Sequence, residues 1–464
     1  MAIGILQTAI LSRMLTRTDF GLVGMLAVVT GLAEVLSDAG ISGAIIARQD
    51  AGRERLSSVY VATLFTGLVL TVLLIVSTPL VVLYYREPKL AALLPWSALT
   101  FVINAVGTQF RILLQRELHF NQLAAVNTVG VVASFAMSIV LAAMGFGVWS
   151  LIFGPLLGSL CRSAVSVVYG IRVWTPVLRF RWSDLDGFVR FGLFQTGSQV
   201  CNYFYGNVDY LVVGRLLGAE QLGVYRIAYE IIVRPLSTLN PILTSVSLPL
   251  FAKRQTDDEA LRRGYLEMIW LIAIIVIPVM LGLAAVSPSF TLTLFGAKFA
   301  AVAPLLPILA GVGIIRSLGN PVGALLIVKD KVHYGFYWNL ISGIVNGVVF
   351  WFIAPQGLIA VCWAWLALSV VYTVAMWKNY YHDTIGLPYM DFLKTIAGSA
   401  VHAGIMALGV FALHSYLQGR LAPAAVLGIC VAAGFVIYCG LALLIRRDDV
   451  NRVWQLVKAS RETA

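Results

Sequence analysis

Apolar runs long enough to cross a lipid bilayer follow one another along almost the whole chain, which restricts it to a membrane-embedded helical bundle. A helical span needs about 20 mostly apolar residues. Runs separated by charged or Gly/Pro-marked turns predict fourteen spans. They fall at 2–15, 20–47, 57–84, 90–115, 121–144 and 148–171, then at 187–214, 219–250, 265–287, 301–328, 332–353, 356–377, 394–416 and 421–445. In 464 residues this leaves no room for a soluble domain of ordinary size. Composition agrees, since 12% of the residues are charged and the mean hydropathy is +0.87, against about 25% charged residues in a soluble domain. A soluble enzyme, a disordered protein and a nucleic-acid binder are excluded, in spite of a net charge of +11. The run at 2–15 is short for a span and is expected to be the remnant of one.

The basic residues orient these spans. Twenty-two of the 33 Lys and Arg residues fall on the loops after even-numbered spans, at the margins of those loops, or on the C-terminal tail. Seven fall on the opposite side: Arg13, Arg17, Arg86, Lys89, Arg215, Lys298 and Arg420. Lys and Arg concentrate in cytoplasmic loops, so both termini are expected in the cytoplasm, and most of the positive charge is a topology signal. The segment 172–186 holds Trp174, Arg179, Arg181 and Trp182. That mixture suits an amphipathic linker lying in the cytoplasmic interface.

The linker divides two halves that resemble each other. Arg13, Leu15, Phe20 and Gly21 lie 202 residues before Arg215, Leu217, Leu222 and Gly223. Leu93-Leu94-Pro95, Gly107 and Asn127 lie 212 residues before Leu305-Leu306-Pro307, Gly319 and Asn339. Six spans per repeat is an even number, so both halves enter from the same side and are related by an axis along the membrane normal. The expected architecture is all-α and polytopic. An N-terminal six-helix bundle (1–171) is followed by the cytoplasmic linker (172–186), a second six-helix bundle (187–379), and two extra helices with a cytoplasmic tail (380–464). A substrate path is expected between the halves.

Ionisable groups inside spans cost about 2.5–3.5 kcal/mol each even on lenient scales, so they should face a cavity or one another. Glu34 and Asp38 lie one helical turn apart on the second span, Arg162 lies in the sixth and Asp209 in the seventh. Arg226, Glu230 and Arg234 form an i, i+4, i+8 stripe on the eighth. Arg316 sits in the tenth, ahead of Gly319-Asn320-Pro321, which should break or kink the helix. Two readings of the stripe stay open: a ladder that neutralises itself, or the wall of a cation-lined cavity. Arg48, Arg111 and Arg162 have stems long enough to snorkel to an interface. Arg13 and Arg215, equivalent in the repeat, are further candidates, and Asp209 is not expected to pair with Arg215, six residues away. Together an acidic second span and cationic eighth and tenth spans outline a cavity with a net positive second half, suited to an anionic headgroup.

No catalytic constellation is legible. The five His residues lie at loop edges or singly in spans, and the five Cys residues are scattered without metal-type spacing. No phosphate-cradling Gly loop or metal motif is found. Enzymatic activity, a cofactor and ATP-driven pumping are not expected.

Several motifs carry a resemblance. Arg13-Met14-Leu15-Thr16 with Asp19-Phe20-Gly21-Leu22, continued by EVLSDAGISGAII at Glu34–Ile46, is similar to the start of bacterial polysaccharide-exporter sequences. DYLVVGRLLG at Asp209–Gly218, then Gln221–Tyr225 and Ala228-Tyr229, looks like a second signature, and Leu178-Arg179-Phe180 also fits. Over about residues 1–445 the chain resembles the colanic-acid-exporter-like branch of the polysaccharide flippases, within the multidrug/oligosaccharidyl-lipid/polysaccharide exporter superfamily. Members of that branch usually carry more residues before the first signature.

The resemblance implies two six-helix bundles plus two helices in a bacterial inner membrane. It implies that an undecaprenyl-diphosphate-linked oligosaccharide is flipped to the periplasmic leaflet by alternating access, for surface or exopolysaccharide biosynthesis. Membrane lipids and polysaccharide-assembly proteins are the implied partners. On this reading Arg226, Arg234 and Arg316 contact the diphosphate, because a guanidinium binds phosphate oxygens bidentately and stays charged. Glu34, Asp38, Asp209 and Glu230 contact sugar or couple transport to protons or sodium. One alternative is a cation-coupled multidrug antiporter, which would want a net acidic, aromatic cavity. Another is a multi-spanning glycan polymerase or ligase, which would want a large periplasmic loop, whereas the outward loops here are only a few residues long.

Overall fold

The computed structural model describes residues 2–38, 52–177, 180–182, 188–253, 255 and 257–445. The first part of the chain forms α1 (Ala2–Met14), α2 (Arg17–Asp38), α3 (Arg53–Tyr85), α4 (Leu90–Arg116), α5 (Phe120–Ala143) and α6 (Ser150–Gly170). Then come α7 (Phe188–Ala252), α8 (Asp258–Ala285), α9 (Ser287–Phe295), α10 (Leu305–Gly319) and α11 (Val322–Val328). The chain continues through α12 (Val332–Ile353), α13 (Leu358–Met376), the short α14 (His382–Ile385), α15 (Tyr389–Leu417) and α16 (Pro423–Ile445). Among the described residues the only bridge-type pairing is an isolated one between Gln418 and Leu421.

Eleven helices among the described residues are long and apolar enough to cross a membrane. Their outer faces are apolar as well: Val76, Leu80, Leu83, Leu408, Phe435 and Leu444 are all exposed. An apolar surface on this scale is not sustained in water, and lipid removes the conflict. The chain is an all-α, polytopic integral membrane protein.

The predicted spans and the helices agree with physical exceptions. The run at 2–15 forms the 13-residue helix α1, too short to cross. The span at 20–47 is helical up to Asp38, and 39–47 lies outside the described residues, as does Arg48. The spans at 187–214 and 219–250 run together as α7, with the backbone broken only at Gly218. Its φ of 80° and ψ of 179° place it in a region that residues with a Cβ rarely enter. The tenth span divides into α10 and α11 at Asn320-Pro321, where proline lacks the N–H needed to continue the ladder.

The described chain packs as two compact units. One takes its residues from Leu6–Arg226 and Phe336–Gly357, the other from Met1–Ile5, Ile227–Gly335 and Leu358–Ala464. In the first unit α4 is tied to its neighbours by hydroxyls inside the bundle. Thr71 on α3 donates to the Ala98 carbonyl at 3.1 Å, and Ser163 on α6 donates to the Ile103 carbonyl at 2.8 Å. α5 and α6 meet through small residues at four-residue spacing, Gly130-Ser134-Ser138 against Gly154-Gly158. A Cβ on Gly158 would stand 2.6 Å from the Gly130 carbonyl oxygen. Such small-residue seams let helix backbones approach closely in a membrane.

The repeat reappears as a contact within the same unit. A Cβ on Gly21 would overlap the Ala219 carbonyl, and one on Gly223 would overlap the Arg17 carbonyl. Gly21 and Gly223, like Arg17 and Ala219, are equivalent at the offset of 202. Each position therefore touches the equivalent of its partner's neighbour, the reciprocity of a two-fold contact.

The segment after α6 folds back onto the start of α3. Arg53 donates to the Thr175 carbonyl at 2.8 Å, and the Val177 N–H donates to Ser57 Oγ at 3.0 Å. Trp174 is buried against Tyr60 and Phe110, with ring centroids 5.7 and 5.6 Å away. The ring is therefore packed among protein side chains rather than presented outward. Trp182 is exposed, and Arg179 lies outside the described residues.

In the second unit Asp257 caps α8, accepting from the Glu259 and Ala260 N–H groups at 3.0 Å each and so satisfying two otherwise orphaned donors. α8 packs against α10 and α15. Tyr265 and Tyr381 are hydrogen-bonded at 2.9 Å, and Ser289 meets His414 Nε2 at 2.8 Å.

Candidate polar cavity in the first unit

Two helices of the first unit carry polar residues at the same interval. On α2 the lining positions are Val23, Leu26, Ala27, Thr30, Glu34 and Ser37. On α4 they are Ser97, Thr100, Phe101, Asn104, Thr108 and Arg111. Steps of three and four keep such positions on one helix face. These faces, with Thr63 of α3 and Ile152 and Pro155 of α6, line a half-open cavity of about 440 Å³. Leu26, Phe101 and Ile152 give it apolar wall, while the hydroxyls, the Asn104 amide, Glu34 and Arg111 give it hydrogen-bonding capacity. Glu34 forms no ion pair among the described residues. A smaller recess at Leu118–Gln122 is lined by five consecutive residues and brings no distant groups together.

Glu34 and Arg111, the residue read from sequence as an interfacial arginine, line the same cavity. Asp38 ends α2, and its side chain lies outside the described residues. The other candidates sit elsewhere. Asp209 is fully buried and accepts a hydrogen bond from the Tyr225 hydroxyl at 2.6 Å. Arg215 does not pair with it, and its guanidinium lies over the Tyr84 ring, 5.8 Å from the centroid. Arg226 passes across Gly24 and donates to the Phe20 carbonyl at 3.2 Å. Arg162 passes across Gly130, where the small residue makes room for its stem. Arg13 is exposed near the end of α1.

In the second unit Glu230 and Arg234 form an i, i+4 ion pair at 2.7 Å, so this part of the stripe does neutralise itself. Arg234 also approaches Gly4 of α1. Arg316 is held differently. It donates to the Tyr229 hydroxyl at 2.5 Å, and its guanidinium lies 5.5 Å from the Trp365 ring centroid and 5.9 Å from that of Tyr229. An aromatic platform of this kind holds a guanidinium plane in place while leaving its charge intact.

Asn104, Thr108, Thr30 and Arg111 are among the cavity residues that sequence reasoning did not place here, with Ser37, Thr63, Ser97 and Thr100. The signal was the period of the polar residues themselves. Attention to charge alone passes over hydroxyls and amides.

Membrane-length helices lining a polar cavity define the class as a polytopic membrane protein with polar groups gathered inside its helical bundle. Comparison with known proteins gives the family. Residues 10–304 match the family described as polysaccharide biosynthesis protein. The chain is 34% identical to the teichuronic acid biosynthesis protein TuaB of Bacillus subtilis (strain 168) over 453 residues, covering 96% of this chain and 92% of that one. It is 32% identical to the lipopolysaccharide biosynthesis protein WzxC of Escherichia coli (strain K12), covering 91% and 86%. The chain belongs to this polysaccharide biosynthesis family. Its fold is similar to that of the lipid II flippase MurJ, with a TM-score of 0.79 at 15% identity over 97% of each chain.

Proposed function

We propose that the protein moves an undecaprenyl-diphosphate-linked oligosaccharide from the cytoplasmic to the periplasmic leaflet of a bacterial inner membrane, by alternating access, for surface or exopolysaccharide biosynthesis. The observation that carries this reading is the cavity between α2, α3, α4 and α6. Polar groups placed inside apolar helices are expensive, and here they line a space: the Thr30, Thr63, Ser97 and Thr108 hydroxyls donate to carbonyls of their own helices, and their oxygens keep acceptor capacity. Hydroxyls, one amide, one carboxylate and one guanidinium match a glycan, whose hydroxyls both donate and accept. An antiporter for organic cations would want a net acidic cavity, and Arg111 opposes Glu34 in this one. Membership of the polysaccharide biosynthesis family supports the same choice.

On this reading the protein transports its ligand and does not transform it. Both termini and the linker 172–186 lie on the cytoplasmic side, following the positive-charge asymmetry. Arg316, fixed on Trp365 and Tyr229, is the leading diphosphate contact. Arg226 and Arg234 are secondary ones, because each already serves a carbonyl or a carboxylate. Asp209 and Glu230 remain candidates for proton or sodium coupling. Reconstitution into proteoliposomes with a lipid-linked oligosaccharide on one leaflet tests the proposal. Glycan becoming accessible on the other leaflet, only in the presence of protein, is the expected result.

A further inference from the structure

We infer that the cavity of the first unit is a sugar-reading subsite that takes a single pyranose ring of the glycan, with Glu34 and Arg111 as its specificity-determining residues. The inference rests on the flippase reading above and adds which part of the substrate is recognised, and by which groups.

Charge comes first. Glu34 and Arg111 nearly cancel, and every other polar lining group is neutral. A diphosphate brought here would meet the Glu34 carboxylate, a like charge. A sugar brings no such charge. Size comes second. About 440 Å³ lies within the roughly 300–1,000 Å³ of small-ligand sites, enough for one ring with its substituents, and the open side leaves room for the rest of the glycan to continue outward.

The arrangement of donors and acceptors comes third. Glu34 only accepts, Arg111 only donates and the Asn104 amide does both, while Thr30 and Thr108, whose hydroxyls donate to the Leu26 and Asn104 carbonyls, have acceptor capacity left. A ring whose hydroxyls face Glu34 satisfies its oxygens, which no described residue pairs. A carbonyl or carboxylate substituent on the ring would meet Arg111. Phe101 offers the apolar face that sugar C–H groups pack on. Sites built around hydrogen bonds to a ligand hydroxyl discriminate sharply against analogues lacking it, because their own groups are then left unpaired. The subsite is therefore expected to select the glycan as well as hold it.

The test uses the full chain in lipid nanodiscs, with methyl glycosides of glucose, galactose, N-acetylglucosamine and glucuronate as probes and inorganic pyrophosphate as competitor. At least one glycoside is expected to bind, read as a rise in unfolding temperature, and pyrophosphate is expected not to displace it. Glu34→Gln should weaken that binding at least tenfold, Arg111→Gln should change the ranking of the four glycosides, and both should unfold like wild type without ligand. If either unfolds early, Thr108→Val replaces it, with the same weakening expected. The inference is overturned if no glycoside binds at saturating millimolar concentration, if pyrophosphate displaces the sugar, or if the variants bind as wild type does. Translocation in proteoliposomes separates this from the parent reading. Wild type that moves lipid-linked glycan while the variants keep the wild-type rate and the wild-type ranking of glycans overturns the subsite alone. Wild type that binds glycosides but moves no lipid-linked glycan overturns the flippase reading alone.

Discussion

Gly21 and Gly223 bring two helix segments into backbone contact: a Cβ on Gly223 would stand 3.0 Å from the Gly21 nitrogen and would overlap the Arg17 carbonyl. The two glycines are equivalent in the internal repeat, so one substitution pattern in each half has produced both sides of one crossing. Gly21→Ala or Gly223→Ala must push backbone away from backbone. Overpacking costs about 1–3 kcal/mol in ordinary cores, and the neighbours here are carbonyl groups that cannot rotate aside. Both variants should unfold at clearly lower temperature in detergent. Gly24→Ala is the control, because its Cβ would meet the flexible Leu222 side chain at 3.2 Å. Equal unfolding temperatures for all three would contradict the close crossing.

Asp209 and Tyr225 form a second linked pair. The carboxylate is fully buried, and the tyrosine hydroxyl donates to it at 2.6 Å. Removing a hydrogen-bond partner from a buried group costs about 1–3 kcal/mol, more when the group is charged. Tyr225→Phe should therefore destabilise the fold by at least that amount. Asp209→Asn should reduce the effect of Tyr225→Phe, so that the double variant loses less than the two single losses combined. Strict additivity in thermal unfolding would show that the pair is not coupled.

Arg316 gives a prediction about function. Its guanidinium plane rests over Trp365 and is tethered by Tyr229. Arg316→Lys keeps the charge and loses the plane and the fork of donors. Cation–π contacts contribute about 0.5–2 kcal/mol, so transport should fall several-fold in Arg316→Lys and in Trp365→Leu, and further in Arg316→Ala. Rates measured at matched protein levels decide it. Wild-type rates in Arg316→Lys would mean that positive charge alone suffices.

The membrane-embedded helical architecture was legible because it rests on apolar length, the strongest signal a sequence carries. The break at Asn320-Pro321 was legible for a similar reason, since proline acts locally. The stretch 215–218 falls between two predicted spans, and the structure keeps helix on both sides of Gly218. The site was only half legible. Glu34 was found because a carboxylate in a span stands out. Arg111 was set aside because an arginine near the end of a span has two solutions, snorkelling outward or turning inward, and the choice depends on neighbouring helices that sequence does not place. Trp174 went the other way for the same reason: the aromatic pocket of Tyr60 and Phe110 is assembled by packing and is invisible in the run of residues around it.

Voltage provides another check. Moving one charge across the membrane is worth about 2.3 kcal/mol per 100 mV. An anionic headgroup leaving a negative compartment is driven outward, so an inside-negative potential imposed with valinomycin and a potassium gradient should speed translocation. Reversing the gradient should slow it. A rate indifferent to both gradients would mean that net charge movement is zero and that a coupled cation travels with the substrate.

The central claim is translocation of a lipid-linked glycan. Its most direct measurement is the appearance of an undecaprenyl-diphosphate-linked oligosaccharide on the far leaflet of proteoliposomes holding the purified chain, followed with a lectin that cannot cross the bilayer. The account predicts protein-dependent exposure that is reduced by Arg316→Ala and Glu34→Gln. Exposure no faster than in protein-free liposomes, with correctly folded wild-type protein present, would contradict it.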